Sequence, residues 1–193
     1  MRFLALSLIL LLSLNSCLTA ADSPSPLVLH APKPIQVDED RIRQHIAFLA
    51  GDKLAGRSGA GSRLAAEYLK KEFQSLKLEP LFEGDFFQPV PGSKKFGIAG
   101  GRNVGALLPG SDPKLREDYI IIAAHYDHLG TRGGAIFPGA DDNASGTAMM
   151  LEAARVLSQS TQKLKRSVMF VGFDLEERLL WGSRWFVAHP PVP

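Results

Sequence analysis

The spacing of hydrophobic residues is helical in the first half of the folded region. Between residues 38 and 76 they recur every three or four positions, which indicates amphipathic helices. The first predicted helix begins after Asp38, a favourable N-cap, and ends before Gly51. Its apolar stripe consists of Ile42, Ile46 and Leu49. A second helix is predicted over residues 62–76, and the Gly-rich stretch between the two helices is predicted to be a loop.

The pattern changes from Asn103 onward, where short continuous apolar runs predict strands. These runs cover residues 104–108, 119–124 and 167–173, and a helix is predicted over residues 145–157. The run at 119–124 lacks alternation, which is typical of a strand buried on both faces of a parallel sheet. Strand, helix and strand in this order predict a right-handed crossover and an α/β fold, with a mostly parallel central sheet flanked by helices. Residues 77–101 are expected to be less regular.

The N-terminus has the charge and hydropathy order of a secretory signal. Arg2 precedes an apolar run over residues 3–14, and small or polar residues follow. The run is shorter than the roughly 20 residues of a membrane-spanning helix. We therefore expect residues 1–20 to be a signal peptide or lipoprotein signal, and residues 21–37 to be a proline-containing linker. Residues 38–193 would form one domain.

Cys17 is the single cysteine of the chain, so no intrachain disulfide is expected. The sequence Leu14-Asn15-Ser16-Cys17 resembles a bacterial lipobox, in which the cysteine is lipidated; cleavage after Ala20 is the alternative. The protein is expected to be exported and to be periplasmic, secreted or lipid-anchored at the cell envelope. Lipidation of Cys17 would attach it to the membrane.

Composition excludes one class of partner. The chain has 22 basic and 20 acidic residues, and its net charge is +2. No basic block or aromatic-basic interleaving occurs, so we expect no nucleic-acid partner. A hydrophobic fraction of 45% is typical of a folded protein.

Polar residues that can bind metal follow two predicted strands and precede one predicted helix. His125 and Asp127 come after one strand, and Glu176 and Glu177 come after the next. Asp141 and Asp142 lie in a Gly-rich loop before the helix, where helix capping is an alternative role. The glutamate pair alone could equally be a solvated surface pair. Together, at one edge of a sheet, these side chains form the nitrogen and oxygen ligand set of Zn²⁺.

Four ordered blocks resemble metallopeptidase family twenty-eight, which contains the co-catalytic zinc aminopeptidases. The blocks are Ala124-His125-Tyr126-Asp127-His128-Leu129-Gly130, Pro138-Gly139-Ala140-Asp141-Asp142-Asn143-Ala144-Ser145-Gly146, Asp174-Leu175-Glu176-Glu177 and Gly182-Ser183. The resemblance covers residues 103–193, and more loosely residues 38–80, which correspond to the N-terminal part of the family. It implies the zinc-exopeptidase (phosphorylase/hydrolase-like) fold, a peptide substrate and two zinc ions.

The resemblance also implies a role for each residue. His125 binds one zinc and Asp127 orients it, whereas Glu177 binds the second zinc. Asp142 bridges both ions, and its peptide bond to Asn143 is cis in similar enzymes. Glu176 is the general base, and His128 lines the mouth of the site without binding metal.

The sequence departs from the family in two respects. Leu179 stands where the family commonly has Gly. The family also supplies a further Asp and a further His from later segments, so we expect residues 38–193 to be an incomplete peptidase domain, inactive as this fragment. A glutaminyl-cyclase-like acyltransferase with a single zinc and a non-catalytic surface lipoprotein are the alternative functions.

Overall fold

The computed structural model describes residues 36–192, so the predicted signal segment and most of the predicted linker lie outside the described residues. The helices are α1 (Glu39–Leu49), α2 (Ala60–Ser75), α3 (Gly146–Ser158) and α4 (Trp181–Ala188). The strands are β1 (Glu79–Pro80), β2 (Phe87–Val90), β3 (Gly101–Leu108), β4 (Tyr119–His125), β5 (Gly130–Arg132), β6 (Ala135–Phe137) and β7 (Ser167–Phe173). Within residues 36–192, none of the helices has the length and apolar character that crossing a membrane requires.

The central sheet has the strand order β1-β3-β7-β4, and β2 also pairs with β3. The predicted α/β class, with helices flanking a central sheet, is confirmed. The expectation of a mostly parallel sheet is wrong for the described residues, because only the β4–β7 pairing is parallel. Residues 77–101, expected to be less regular, supply β1 and β2, and both run antiparallel to β3. The sheet is therefore mixed.

Several predicted elements are confirmed close to their expected ends. The carboxylate of Asp38 caps α1 by accepting hydrogen bonds from the backbone N–H groups of Asp40 and Arg41, each at 3.1 Å. Strand β7 matches its predicted range, and β4 is one residue longer than predicted. Helices α2 and α3 are each shifted by one or two residues.

The main core lies between the sheet and helices α2 and α3. Phe73 from α2 packs against Phe170 from β7, and both side chains are fully buried. Each large apolar side chain that leaves water in this way stabilises the fold by about 1.5–3 kcal/mol. Strand β7 is buried along nearly its whole length, because β3 and β4 pair with its two edges and its side chains enter hydrophobic clusters on both faces of the sheet. The position of β7 is therefore fixed from both sides.

Strand β4 differs from its prediction, because it is not buried on both faces within residues 36–192. Ile122 packs against the main core, whereas Ile120 and Ile121 are 49% and 50% exposed. The cause is the place of β4 in the sheet: it is the outermost strand of the described order and pairs only with β7. The apolar run predicted the strand correctly but not its exposure.

Candidate metal centre

Parallel pairing of β4 and β7 brings the polar residues together. The register places His125 opposite Phe173, so both strands end at the same edge of the sheet. The residues that follow each strand therefore emerge side by side, as is typical of ligand sites in α/β sheets. The third segment is the loop before α3. Thr147 Oγ1, near the start of α3, donates a hydrogen bond of 2.9 Å to the carbonyl of His125 and ties this helix to the end of β4.

Asp142 lies between two histidines. Its Oδ1 is 3.2 Å from His125 Nε2, and its Oδ2 is 3.9 Å from His128 Nδ1. His128 Nδ1 is in turn 2.8 Å from Glu177 Oε1. The structure thus brings the three predicted metal residues, His125, Asp142 and Glu177, into one chain of contacts. The peptide bond between Asp142 and Asn143 is cis, the form that the family resemblance implies.

His128 is a member of this cluster that the sequence analysis placed only at the mouth of the site. One potential ligand atom each from His128, Asp142 and Glu177 lie within 4.8 Å of one another. The side chain of His128 is buried, and the backbone N–H of this residue, three positions after the end of β4, donates to the carbonyl of Arg57. The sequence signal was present in the His-Tyr-Asp-His block, but spacing alone did not show which histidine points inward.

The polar atoms of the cluster satisfy a chemical test for a bound cation. His125 Nδ1, His128 Nδ1 and Glu177 Oε1 are buried and have no hydrogen-bond partner among residues 36–192. The 2.8 Å approach of His128 to Glu177 is close, but it is not aligned as a hydrogen bond. Leaving such an atom unpaired costs about 1–3 kcal/mol, which a shared cation would offset. Imidazole and carboxylate donors are ligands that zinc accepts, so these residues fit a zinc ion.

Asp127 fixes the backbone of both glutamates. Its Oδ1 accepts a hydrogen bond of 3.0 Å from the N–H of Glu176, and its Oδ2 accepts one of 3.3 Å from the N–H of Glu177. The same carboxylate lies 3.7 Å from His125 Nδ1, which is too long for a hydrogen bond, so it acts on His125 through its charge. Asp127 therefore connects the end of β4 to the turn after β7, which sequence reasoning did not foresee.

The charge environment of His125 favours the protonated imidazole when no cation is present. Burial by itself lowers the pKa of His125, but Asp127, Glu176 and Asp142 act in the opposite direction and outweigh it, so that the pKa lies above its ordinary value. A cation bound at the same place would compete with that proton.

The carboxylate of Glu176 lies beside the cluster but outside the chain of contacts that ends at Glu177. Its Oε2 lies 4.0 Å from His125 Nδ1, and the side chain is 35% exposed. Within residues 36–192 this carboxylate accepts no hydrogen bond. The predicted role of Glu176 as general base and that of Asp127 in orienting His125 stay predictions.

The turn after β7 carries backbone strain. Leu175, Leu179 and Leu180 have φ angles of 58°, 64° and 58°, in the left-handed region that favours glycine. The buried carboxylate of Asp174 holds the start of this turn by accepting hydrogen bonds from Ser62 Oγ and from the N–H groups of Arg102 and Leu175. Burial raises the pKa of Asp174. The glycine that the family commonly has at the position of Leu179 is thus explained by the backbone there.

A cavity of about 330 Å³ opens beside the cluster. Its lining includes Glu177 and His128, together with Arg63, Arg132 and Arg178. These three arginines are exposed, and none forms a salt bridge within the part of the chain that the structure describes. A volume of this size suits a small peptide group or side chain.

Two other histidines of the described residues, His45 and His189, lie away from the cluster. His45 is buried in α1 with its Nδ1 2.6 Å from the hydroxyl of Tyr68, and His189 is exposed and stacks on Trp185. His30 lies outside the described residues. Arg57, by contrast, is a residue that sequence analysis missed: assigned to a loop, it is fully buried beside the cluster.

Comparisons with known proteins show which proteins this chain is similar to. The model of peptidase family M28 matches residues 103–193. Aminopeptidase YwaD of Bacillus subtilis is 40% identical over 72 residues, which are 37% of this chain and 14% of that protein. A glutaminyl-peptide cyclotransferase of Boiga irregularis is 32% identical over 136 residues, 68% of this chain and 35% of that protein. The chain thus spans about a third or less of the length of these two relatives.

A solved structure shows the same fold. A Zn-dependent exopeptidase from Parabacteroides distasonis superposes with a TM-score of 0.64 over 82% of this chain and 58% of that one, at 19% identity. The match of the family model to residues 103–193 confirms the resemblance of the four sequence blocks to peptidase family M28.

Proposed function

We propose that this chain carries the metal centre of a zinc-dependent aminopeptidase, an enzyme that removes N-terminal residues from peptides. One observation carries the proposal: Asp142 lies between His125 and the His128–Glu177 pair, and the pair presents buried polar atoms without a hydrogen-bond partner in residues 36–192. Zinc, when bound, supplies Lewis-acid chemistry that polarises a carbonyl group and makes water a better nucleophile near neutral pH.

The residues divide the work of holding metal. In the proposal His125 and Asp142 would hold one ion, and Asp142 and Glu177 would hold a second. His128 lies close enough to Asp142 and Glu177 to serve as a further donor. Asp127 holds the turn that presents both glutamates, because it accepts hydrogen bonds from their two N–H groups.

Glu176 is the group available for proton transfer. It precedes Glu177 directly, its backbone is held by Asp127, and its carboxylate has no partner in the described part of the chain. In hydrolysis it takes a proton from the attacking water and passes it to the leaving amine. The water oxygen first forms a C–O bond to the acyl carbon, and the peptide C–N bond then breaks as the amine receives the proton. General base catalysis of this kind contributes about 10²–10⁴-fold to the rate.

The test is a matched pair of amide substitutions in the full-length protein. Glu176→Gln should lower kcat for an aminoacyl-p-nitroanilide at least about 100-fold and leave the zinc content unchanged. Glu177→Gln, a change of the same size one residue away, should lower the zinc content. If Glu176→Gln loses zinc and Glu177→Gln keeps it, the two roles have been assigned the wrong way round. Full activity in both variants would contradict the proposal.

A glutaminyl-peptide cyclotransferase is the second candidate. It is favoured by the match to the Boiga irregularis protein, which covers a larger share of this chain than the match to YwaD does. In that reaction the substrate's own amine attacks its side-chain amide carbon and ammonia leaves, so Glu176 would carry the proton from the amine to the ammonia. A glutaminyl peptide separates the candidates: ammonia release without a free amino acid indicates the cyclotransferase, and free glutamine indicates the aminopeptidase. Zinc analysis gives a second criterion: one ion per chain indicates the cyclotransferase, and two ions per chain indicate the aminopeptidase.

Activity of the 193-residue chain by itself is a separate part of the proposal. Residues 36–192 offer His125 and Asp142 to one ion, fewer than the three protein ligands that catalytic zinc normally has. We therefore expect this chain alone to be inactive on aminoacyl-p-nitroanilides. Chelator-sensitive hydrolysis by the 193-residue chain would contradict this expectation.

Export is also proposed. Residues 1–20 lie outside the described residues, so a signal peptide and a lipidated Cys17 are argued from the sequence alone. N-terminal sequencing of the mature protein distinguishes a chain that begins at Ala21 from one blocked at Cys17.

A further inference from the structure

The guanidinium group of Arg57 is fully buried, and all five of its N–H donors are used. Its Nε donates to the carbonyl of Tyr126 at 2.8 Å. One terminal nitrogen donates to Leu49 at 2.8 Å and Pro138 at 2.6 Å, and the other donates to Gly139 at 2.7 Å and Asp142 at 3.4 Å. Five is the whole donor capacity of an arginine side chain. Every acceptor is a backbone carbonyl.

Four of these five carbonyls belong to the segments that present the metal residues, and the fifth, that of Leu49, ends α1. Tyr126 stands between His125 and Asp127, and the other site carbonyls belong to the loop that ends at Asp142. The backbone of Arg57 adds a further contact, because its carbonyl accepts a hydrogen bond of 3.1 Å from the N–H of His128. Residue 126 and residues 138–142 lie far from Arg57 in the sequence, and both segments are thus held against its rigid, planar guanidinium group.

Among residues 36–192, no carboxylate forms a salt bridge with Arg57. Burial lowers the pKa of Arg57, while the nearby charges of Asp127, Asp142 and Glu177 act in the opposite direction. Lysine could supply the same charge, but its ammonium has three donors around one point and cannot reproduce the planar fork. Substitution by lysine therefore separates the effect of charge from the effect of geometry.

We infer that Arg57 is a positioning residue for the metal centre, which sets the backbone that carries His125, Asp127 and Asp142. This inference rests on the proposed zinc function. Its physical content is preorganisation: the ligands occupy their binding arrangement before the ion arrives, because the carbonyls around them are fixed. Removal of a group that orients metal ligands typically lowers metal affinity about 10–100-fold.

The experiment uses the full-length protein with Arg57→Lys and Arg57→Gln. Arg43, an exposed arginine on α1 whose ion pairs are to Glu39 and Asp40, supplies the matched control as Arg43→Lys and Arg43→Gln. Zinc affinity is measured by chelator competition on the folded protein. Amide hydrogen exchange of residues 126–128 and 139–142 is measured without metal, and the visible spectrum is recorded with Co²⁺ in place of zinc.

Both Arg57 variants should bind zinc about 10–100-fold more weakly than wild type. Both should also exchange the amide hydrogens of the two segments faster and change the Co²⁺ spectrum, while the Arg43 variants remain like wild type.

Wild-type zinc affinity in Arg57→Gln would overturn the inference, and so would full rescue by Arg57→Lys, because charge alone would then suffice. Failure of both variants to fold would assign Arg57 to the fold rather than to the site and overturn the inference too. A wild type that binds no zinc is the distinct outcome that refutes the proposed function, and the inference falls with it.

Discussion

Glu152 provides a quantitative test of how α1 is attached to α3. This residue of α3 is 3% exposed. Its Oε1 accepts hydrogen bonds from the backbone N–H of Asp38 at 2.7 Å and from Arg155 Nη2 at 2.6 Å, and its Oε2 accepts one from Arg155 Nε at 2.8 Å. The carboxylate therefore joins the N-cap residue of α1 to the buried side of α3. We consider the substitution Glu152→Gln.

Glutamine has almost the same shape, so the change is electrostatic. Its carbonyl oxygen can replace Oε1, but its NH₂ group then faces Arg155 Nε, and two donors meet. One charge-assisted hydrogen bond is lost, which is worth about 1.5–3 kcal/mol. The side chain of Arg155 is partly exposed and can turn towards water. We therefore expect a loss of about 2 kcal/mol in the free energy of unfolding at pH 7.

The effect should depend on pH with a definite sign. The hydrogen bond from Arg155 is the largest influence on Glu152 and lowers its pKa below the ordinary value of 4.5. A carboxyl group whose pKa is lower in the folded state adds stability above its unfolded pKa, and this stability is lost as the pH falls through the folded pKa. The difference between wild type and Glu152→Gln should therefore be full at pH 7 and shrink below pH 4.5.

The assay is urea unfolding of the metal-free protein, followed by circular dichroism at pH 7 and at several pH values below 4.5. Glu39→Gln is the matched control, because Glu39 is 77% exposed and its pair with Arg43 lies on the surface of α1. That change should cost less than about 0.5 kcal/mol. A loss at pH 7 no larger in Glu152→Gln than in Glu39→Gln would refute the reasoning, as would a difference that stays constant into acid.

Two further predictions concern the turn after β7 and the cavity. Leu179→Gly should raise the free energy of unfolding by about 0.5–1 kcal/mol, because it relieves a left-handed φ of 64°, whereas Met149→Gly, at an exposed position inside α3, should lower it by about 1 kcal/mol. Chemical denaturation measures both, and a loss of stability in Leu179→Gly would contradict the account of strain. Arg178→Glu should raise KM about fivefold for peptides with an acidic side chain and leave neutral peptides unchanged, because Arg178 lines the cavity beside Glu177. Steady-state kinetics on matched Glu and Gln peptides tests this, and an equal effect on both peptides would contradict it.

Local signals explain which parts of the fold could be predicted from the sequence. The start of α1 follows from Asp38, whose carboxylate reaches the N–H groups two and three residues later. The range of β7 follows from seven consecutive residues that suit a buried strand. The proximity of His125, Asp142 and Glu177 follows from the ends of β4 and β7 and from the start of α3, once β4 and β7 are known to be parallel. These inferences need only neighbouring residues and the general geometry of sheets.

The remaining features depend on contacts between distant parts of the chain. The five acceptors of Arg57 lie between 8 and 85 residues away, so no local pattern indicates that this loop residue is buried. The hydrogen bonds that Asp127 accepts from the turn after β7 span 49 and 50 residues. The exposure of Ile120 and Ile121 depends on which strands lie beside β4. Only the assembled sheet contains this information.

The open side of β4 has a consequence for biosynthesis. In residues 36–192 this strand offers one edge without a partner strand, next to two half-exposed isoleucines. Such an edge can pair with the same edge of another molecule, so nascent chains that share a crowded compartment compete between covering it and associating with one another. The competing reaction is bimolecular, and its share therefore rises with the rate of synthesis. Slow expression at low temperature should thus favour soluble product over inclusion bodies, and a lysine at position 121 should reduce the dependence on expression rate.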